Sequence, residues 1–211
     1  MSKNCCILLK DEITTARLIA EYIKNDLNIS AIILNKKKKL ETYFKKLGIK
    51  TLYLKSFNEG KVLTFLKKNK INFLTVNIEN ILSKKFFSKF KGKIFAVHGG
   101  ILPNFKGRNS IDWMAALGLK NLGSTLFLMS KKIDQGKIIK IKYFKKKTPT
   151  SLKELAFLLH YKTRLPLYSM IIEIIKKNKI SKFTHKKKGR YFYRMHEDFK
   201  PLIDKYLKKA Y

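Results

Sequence analysis

His98 closes an apolar run, residues 93–97, and opens a loop built from Gly99, Gly100, Ile101, Leu102 and Pro103. Further along, Gly123-Ser124-Thr125 begins a second apolar run, and Asp134-Gln135-Gly136 forms a turn sequence behind it. An imidazole and a carboxylate on separate loops can meet over one pocket. Such a pair can run acyl-type transfer with neither a metal nor a nucleophilic serine, because the imidazole exchanges protons near neutrality and the carboxylate orients it. Lys106-Gly107-Arg108 adds two cations to the same loop, and a guanidinium suits bidentate phosphate contacts. Taken alone, a histidine at a strand end is more often structural, and an aspartate before Gln-Gly is a hairpin residue. Their occurrence in one ordered stretch brings both into a candidate site. His160, His185 and His196 show no metal-ligand spacing, so no metal is expected.

The elements that must position these groups follow from periodicity. Short apolar runs at residues 5–9, 29–34, 51–54, 73–76 and 93–97 read as strands, and helical patterns separate them at 14–24, 40–47, 60–68 and 83–90. Strands alternating with helices predict βαβ units, hence an α/β fold with a mostly parallel twisted sheet and helices on both faces. After His98 the pattern changes to a loop of about a dozen residues, longer than most connections. Ser110 is expected to cap a helix through Trp113 to Gly118, with Trp113 read as a core anchor. Two strands, 124–129 and 137–144, are expected to flank the Asp134–Gly136 turn. Thr150 or Ser151 then caps a helix running to about Lys176 and interrupted at Pro166. Beyond it come a short strand or loop at 180–183, a basic segment, the aromatic Tyr191 and Tyr193, for which packing is the expected role and the lining of an acceptor pocket the alternative, and a closing helix. The division expected is a core over 1–145 and a helical extension over 146–211, packed as one domain.

Composition bounds the function classes. A chain of 211 residues, 45% of them hydrophobic, can bury a proper core. No apolar stretch is long enough for a spanning helix, and the N-terminus lacks a cleavage-site pattern. Cys5 and Cys6 are adjacent in a strand and point to opposite faces, which argues against a disulfide and for a reduced, cytoplasmic setting. The net charge of +34 comes from 48 basic residues against 14 acidic ones. Nucleic acid is the usual partner of such an excess. Only Arg17, Arg108, Arg164, Arg190 and Arg194 are arginines, however, and the chain is rich in Ile, Asn, Phe and Tyr, residues favoured by A- and T-rich codons. The lysines lie in scattered runs at 36–39, 145–147 and 186–188, so nucleic acid is not favoured on charge alone. The first strand runs into Lys10-Asp11-Glu12 with no glycine, which disfavours a phosphate-binding turn there.

The segment from His98-Gly-Gly-Ile-Leu-Pro103 through Lys106-Gly107-Arg108, Gly123-Ser-Thr125 and Asp134-Gln-Gly136 resembles the signature of the folate-dependent formyltransferases. The His-Gly-Gly and Lys-Gly-Arg forms resemble the sugar-nucleotide N-formyltransferase branch most. The resemblance implies a Rossmann-like fold, 10-formyltetrahydrofolate as formyl donor, and a primary amine, on a nucleotide sugar, as acceptor; a homodimer is compatible with it. It assigns the chemistry to His98 and Asp134, with a protonated His98 donating to the oxygen that gains charge as the amine attacks. Ile101, Leu102, Pro103 and Gly136 would border the folate, and Lys106, Gly107 and Arg108 the acceptor. Methionyl-tRNA and glycinamide ribonucleotide are the alternative acceptors, and a fold that binds without turnover is the alternative class. Two positions depart from the pattern: Ala96 stands where the family carries asparagine, and Phe127 where it often carries histidine. Loss of one oxyanion donor typically costs about a hundred- to a thousandfold in rate, and Asn77 and Asn80 are the candidate substitutes.

Overall fold

Unbroken apolar runs become strands covered on both faces. In the computed structural model, which describes residues 4–10, 20, 22, 27–34, 41–145, 151–180 and 189–209, β1 (Asn4–Lys10) and β2 (Asn28–Leu34) are buried along nearly their whole length. Such burial is the mark of strands in a parallel sheet. β3 (Lys50–Leu54), β4 (Phe73–Asn77) and β5 (Lys93–His98) complete the set, and every paired neighbour among these five is parallel. With β7 (Asn121–Leu128) and β8 (Lys137–Lys145), the hydrogen-bonded order is β3-β2-β1-β4-β5-β7-β8, a mixed, mostly parallel seven-stranded sheet, Rossmann-like as the sequence predicts.

Backbone contacts divide the chain into two units, residues 1–96 with 171–179, and residues 97–170 with 180–211. In the first unit α1 (Glu41–Lys46), α2 (Glu59–Lys68) and α3 (Lys84–Lys89) connect the strands. The Asn58 side chain accepts from the Lys61 N–H at 3.0 Å to start α2, and Ser83 does the same for α3 through Phe86 at 3.0 Å. Each such cap stabilises its helix by about 1 kcal/mol. Asn4 ties the sheet's end together, donating to the carbonyls of Asn69 and Lys70 and accepting from Asn28.

The second unit holds the antiparallel pair β7 (Asn121–Leu128) and β8 (Lys137–Lys145), with a bulge at Leu126/Phe127. Its core gathers Met114, Ala115, Leu122, Leu155, Leu159 and Leu207, all at most 1% exposed. They come from β7, α4 (Ser110–Ala116), α5 (Leu152–Leu159) and α7 (Phe199–Lys209), and each fully buried leucine contributes about 1.5–3 kcal/mol. Ser151 caps α5 by accepting from the Glu154 N–H at 3.2 Å.

Four local readings of the sequence are corrected. The loop after His98 contains a strand, β6 (Phe105–Gly107), which pairs in parallel with β9 (Arg190–Phe192). Ser110 is the first residue of α4 and buried; Asn109 holds the cap position in the left-handed region at φ 51° with no capping bond. Its side chain instead donates to Asp112 in the first turn and accepts from the distant Met195 N–H. The long helix breaks before Pro166, at a π turn over His160–Arg164, and resumes as α6 (Leu165–Lys177). Thr163 in that turn donates to the Leu159 carbonyl at 2.5 Å and accepts from buried Ser124 at 2.7 Å, which pins the irregular turn to β7. Tyr191 and Tyr193 are not packing residues, being 44% and 79% exposed. The helix expected at 14–24, apart from Ala20 and Tyr22, lies outside the described residues, as do Thr150, most of 180–183 and the 186–188 lysines.

Candidate active site

His98 is the last residue of β5, and its ring is 10% exposed beside Asp134, whose side chain is 15% exposed. The imidazole Nε2 lies 2.6 Å from the Phe105 carbonyl oxygen. A carbonyl only accepts, so Nε2 carries the hydrogen. Nδ1 faces Asp134 Oδ1 at 3.8 Å, beyond hydrogen-bond reach. Burial pushes the His98 pKa below its usual range, the Asp134 charge and the Phe105 bond oppose that, and the Arg164 cation adds to the lowering. The neutral Nε2–H imidazole is therefore favoured at pH 7, with a bare Nδ1 turned toward a carboxylate. That differs from the protonated histidine expected from the sequence. The pair is arranged to accept a proton at Nδ1, where Asp134 stabilises the imidazolium that results.

Asp134 is itself held. Its backbone sits in the left-handed region at φ 51°, which aspartate tolerates better than bulkier residues. Its Oδ2 accepts from the Gly107 N–H at 2.8 Å. Gly107 has φ 96°, and a side chain there would run into the Phe192 carbonyl, so the position demands glycine. Gly136 passes against the Leu128 carbonyl and the buried ring of Phe127, which gives it a structural reason beside the folate role expected for it.

Thr125 organises the loop between His98 and Asp134. Fully buried on β7, its hydroxyl donates to the Gly100 carbonyl at 2.7 Å and accepts from the Leu102 N–H at 3.0 Å. Leu102 is 1% exposed, so of the expected folate border Ile101, Pro103 and Gly136 keep partial exposure. Lys106 is half-buried on β6, Arg108 is exposed, and the Arg108 backbone N–H donates to Phe192 at 3.1 Å. Ala96 lies on β5 two residues before His98 and offers no side-chain donor; Asn77 ends β4, and both Asn77 and Asn80 belong to the first unit. Among the described residues no group of three or more His, Cys, Asp or Glu side chains comes together, and no helix is long and apolar enough to cross a membrane.

Sequence reasoning passed over the segment that braces this loop from the C-terminal side. β9 runs beside β6, Phe192 stacks on Phe105 with ring centroids 5.1 Å apart, and the Trp113 indole N–H donates to the Tyr193 carbonyl at 2.9 Å. Trp113 thus sits at the rim of the core, packed 5.4 Å from Phe192. The only sequence signal was Gly189 before an aromatic triplet, a glycine whose Cβ would strike the Pro103 carbonyl. Tyr191 stands close to the pair: partial burial, then the Asp134 charge and Tyr193, raise its pKa, with Arg108 opposing.

Comparisons with known proteins agree with this geometry. The chain is 29% identical over 110 residues to a methionyl-tRNA formyltransferase of Finegoldia magna, covering 52% of this chain and 36% of that protein, so it spans about a third of that relative's length. Its fold matches a phosphoribosylglycinamide formyltransferase from Anaplasma phagocytophilum with a TM-score of 0.75 at 17% identity, over 92% of this chain and 100% of that one. It also matches an N-formyltransferase from Helicobacter canadensis, solved with folinic acid and dTDP-3-aminofucose, with a TM-score of 0.72 at 20% identity over 92% and 71% of the two chains. The family model described as formyl transferase matches residues 17–160, a span that carries His98, the glycine loop, Thr125 and Asp134, and the chain belongs to that family.

Proposed function

We propose that the protein transfers the formyl group of 10-formyltetrahydrofolate to a primary amine carried on an amino-sugar nucleotide. The observation that carries the reading is the His98–Asp134 pair, with the imidazole hydrogen fixed at Nε2 and Nδ1 bare beside the carboxylate. The amine–formyl bond forms as the formyl–nitrogen bond of the folate breaks; in this reading His98 takes the proton that the amine loses and returns it to the tetrahydrofolate nitrogen as it leaves. The folate supplies the activated formyl group. The residues present suit it, since Ile101 and Pro103 offer apolar, partly exposed edges. The acceptor class is supported by the N-formyltransferase relative solved with a dTDP-amino sugar. Ala96 leaves the oxyanion without the asparagine amide of the family pattern, so a modest turnover is expected.

The test is incubation of the purified chain with 10-formyltetrahydrofolate and a panel of dTDP- and UDP-linked amino sugars, with N-formyl product read by mass spectrometry. A product mass 28 Da above an acceptor, roughly one CO unit, supports the reading, and Ala96→Asn should raise its rate of formation. Absence of product from every sugar, together with product from charged initiator tRNA, would move the acceptor to tRNA. No product from any amine and no binding of folinic acid would end the formyl-transfer reading.

A further inference from the structure

One apolar surface of the second unit takes no part in the His98–Asp134 chemistry. A surface helix normally buries its apolar stripe, and α7 carries more apolar surface than it buries. Ile203 and Leu207 turn into the core. Phe199, Leu202 and Tyr206 follow one another at spacings of three and four residues, so they form a second stripe, and each is more than half exposed. Trp113 and Ala116 of α4 face that stripe across a groove of about 240 Å³, floored by buried Met195 and Ile203. A Cβ on Gly118 would lie 3.4 Å from the Tyr206 hydroxyl, so the turn after α4 reaches the far end of the stripe. Single exposed leucines need no explanation, but a contiguous stripe beside a groove marks an interaction surface. Trp, Tyr, Phe and Met are the residue types that concentrate at the centre of protein interfaces. Phe199 and Tyr206 stand two helical turns apart, about 10 Å along the axis, a length that two turns of a second helix would cover.

Charge selects the occupant. The acids near the groove are engaged within the protein: Asp112 accepts from Asn109, Glu197 pairs with Arg194 and Lys200, Asp198 pairs with His196, and Asp204 accepts from the Leu152 N–H. Lys205 and Lys208 on α7 and Lys120 beyond α4 are exposed and pair with no acid among the described residues. Lys205 stands one turn after Leu202 and directly before Tyr206, so the uncommitted charge beside the stripe is positive. A second copy would bring a net charge of +34 against the same charge, and a nucleic acid would leave the apolar stripe uncovered. We propose that this groove docks an amphipathic helix of an acidic partner protein, its apolar residues against Trp113, Leu202 and Tyr206 and its carboxylates toward Lys120 and Lys205.

The probe is a synthetic peptide of about four helical turns, with leucine and phenylalanine on one face and glutamate on the other. One control peptide carries glutamine for every glutamate, and a second carries serine for every apolar residue. Binding to the full chain is read from the anisotropy of a dye on the peptide and from the emission of Trp113, the chain's single tryptophan, which shifts to the blue when the groove is covered. The acidic amphipathic peptide should bind about tenfold or more tighter than either control, and added salt should narrow its lead over the glutamine version. Leu202→Lys and, separately, Tyr206→Lys should each weaken it about tenfold although the variant gains a cation. Lys205→Glu should weaken the acidic peptide and leave the glutamine version unchanged. Melting temperatures check that each variant folds. Unchanged or tighter binding by folded Leu202→Lys and Tyr206→Lys overturns the proposal, since bulk charge alone then holds the peptide. Equal affinity of the glutamate and glutamine peptides overturns it too, as does saturation with no shift in Trp113 emission. A wild-type dimer in sedimentation that dissociates in Leu202→Lys gives the face to a second copy and overturns the proposal.

Discussion

At the scale of single residues, the site turns on where one proton sits. The folded protein holds His98 neutral, with a pKa below the value of about 6.5 it has in the unfolded chain. Between those two values the unfolded state binds the extra proton, so stability rises with pH across that window. The contribution is complete above about pH 6.5 and is lost as the pH falls toward the folded pKa. Melting temperatures of wild type and His98→Gln between pH 7.5 and 5.5, a range of about 2 units around the His pKa, should show a steeper acid loss in wild type. Activity should fall over the same interval, because a protonated Nδ1 cannot accept from the amine. Asp134→Asn is the sharper test of the chemistry. Asparagine also tolerates the left-handed backbone and its carbonyl oxygen can keep the Gly107 bond, while the charge that stabilises the imidazolium disappears. We expect kcat to drop about a hundredfold or more with little change in melting temperature, as removal of proton-transfer assistance usually costs. A wild-type kcat in this variant would take Asp134 out of the reaction.

At the scale of elements, the glycine loop after His98 is shaped by strands that are not its neighbours in sequence. Thr125 on β7 supplies two bonds to the Gly100–Leu102 backbone, one at each end. Thr125→Val keeps the shape of the side chain and strands a buried N–H and C=O, a cost of about 1–3 kcal/mol for each group. The expected readout is a lower melting temperature together with a raised KM for the folate, measured by steady-state kinetics; unchanged KM would confine Thr125 to stability. Gly107→Ala should disrupt the β6–β9 pairing and the Asp134 bond together, since the new methyl group collides with Phe192 backbone. Its effect on kcat should exceed that of an alanine at any exposed position of the same ribbon. How much of this could be read beforehand depends on element length. β1, β2, β4 and β5 announced themselves as apolar runs, and the His98 and Asp134 loops through residue types that stay together in order. β6 and β9 have three residues each, too few for a period, and their pairing joins distant parts of the chain. The bracing role of Tyr191 to Met195 was illegible for the same reason: nothing local distinguishes a tyrosine beside a carboxylate from one on bare surface.

At the scale of the whole molecule, 48 basic residues against 14 acidic ones create a field that no single pair accounts for. Anionic partners should be drawn in fast at low salt and more slowly as the screening length shrinks from about 10 Å at 0.1 M to about 3 Å at 1 M. We expect kcat/KM for a phosphate-bearing acceptor to fall with added salt while kcat stays nearly constant; a salt-independent kcat/KM would leave the charge without a kinetic role. The parallel sheet was legible at this scale because alternating strands and helices admit few topologies. The two-unit division was not, because residues 171–179 join a unit whose other members precede residue 97. The β6–β9 ribbon also sets an order of events as the chain is made. A ribosome releases Phe105 long before it releases Arg190, so the glycine loop waits through synthesis of the intervening chain for its bracing strand. Closing so long a loop is entropically slow compared with local helix formation. A growing chain can therefore complete much of its sheet while Gly107, and with it Asp134, is still untethered, and competence for chemistry arrives late, when the last strand docks.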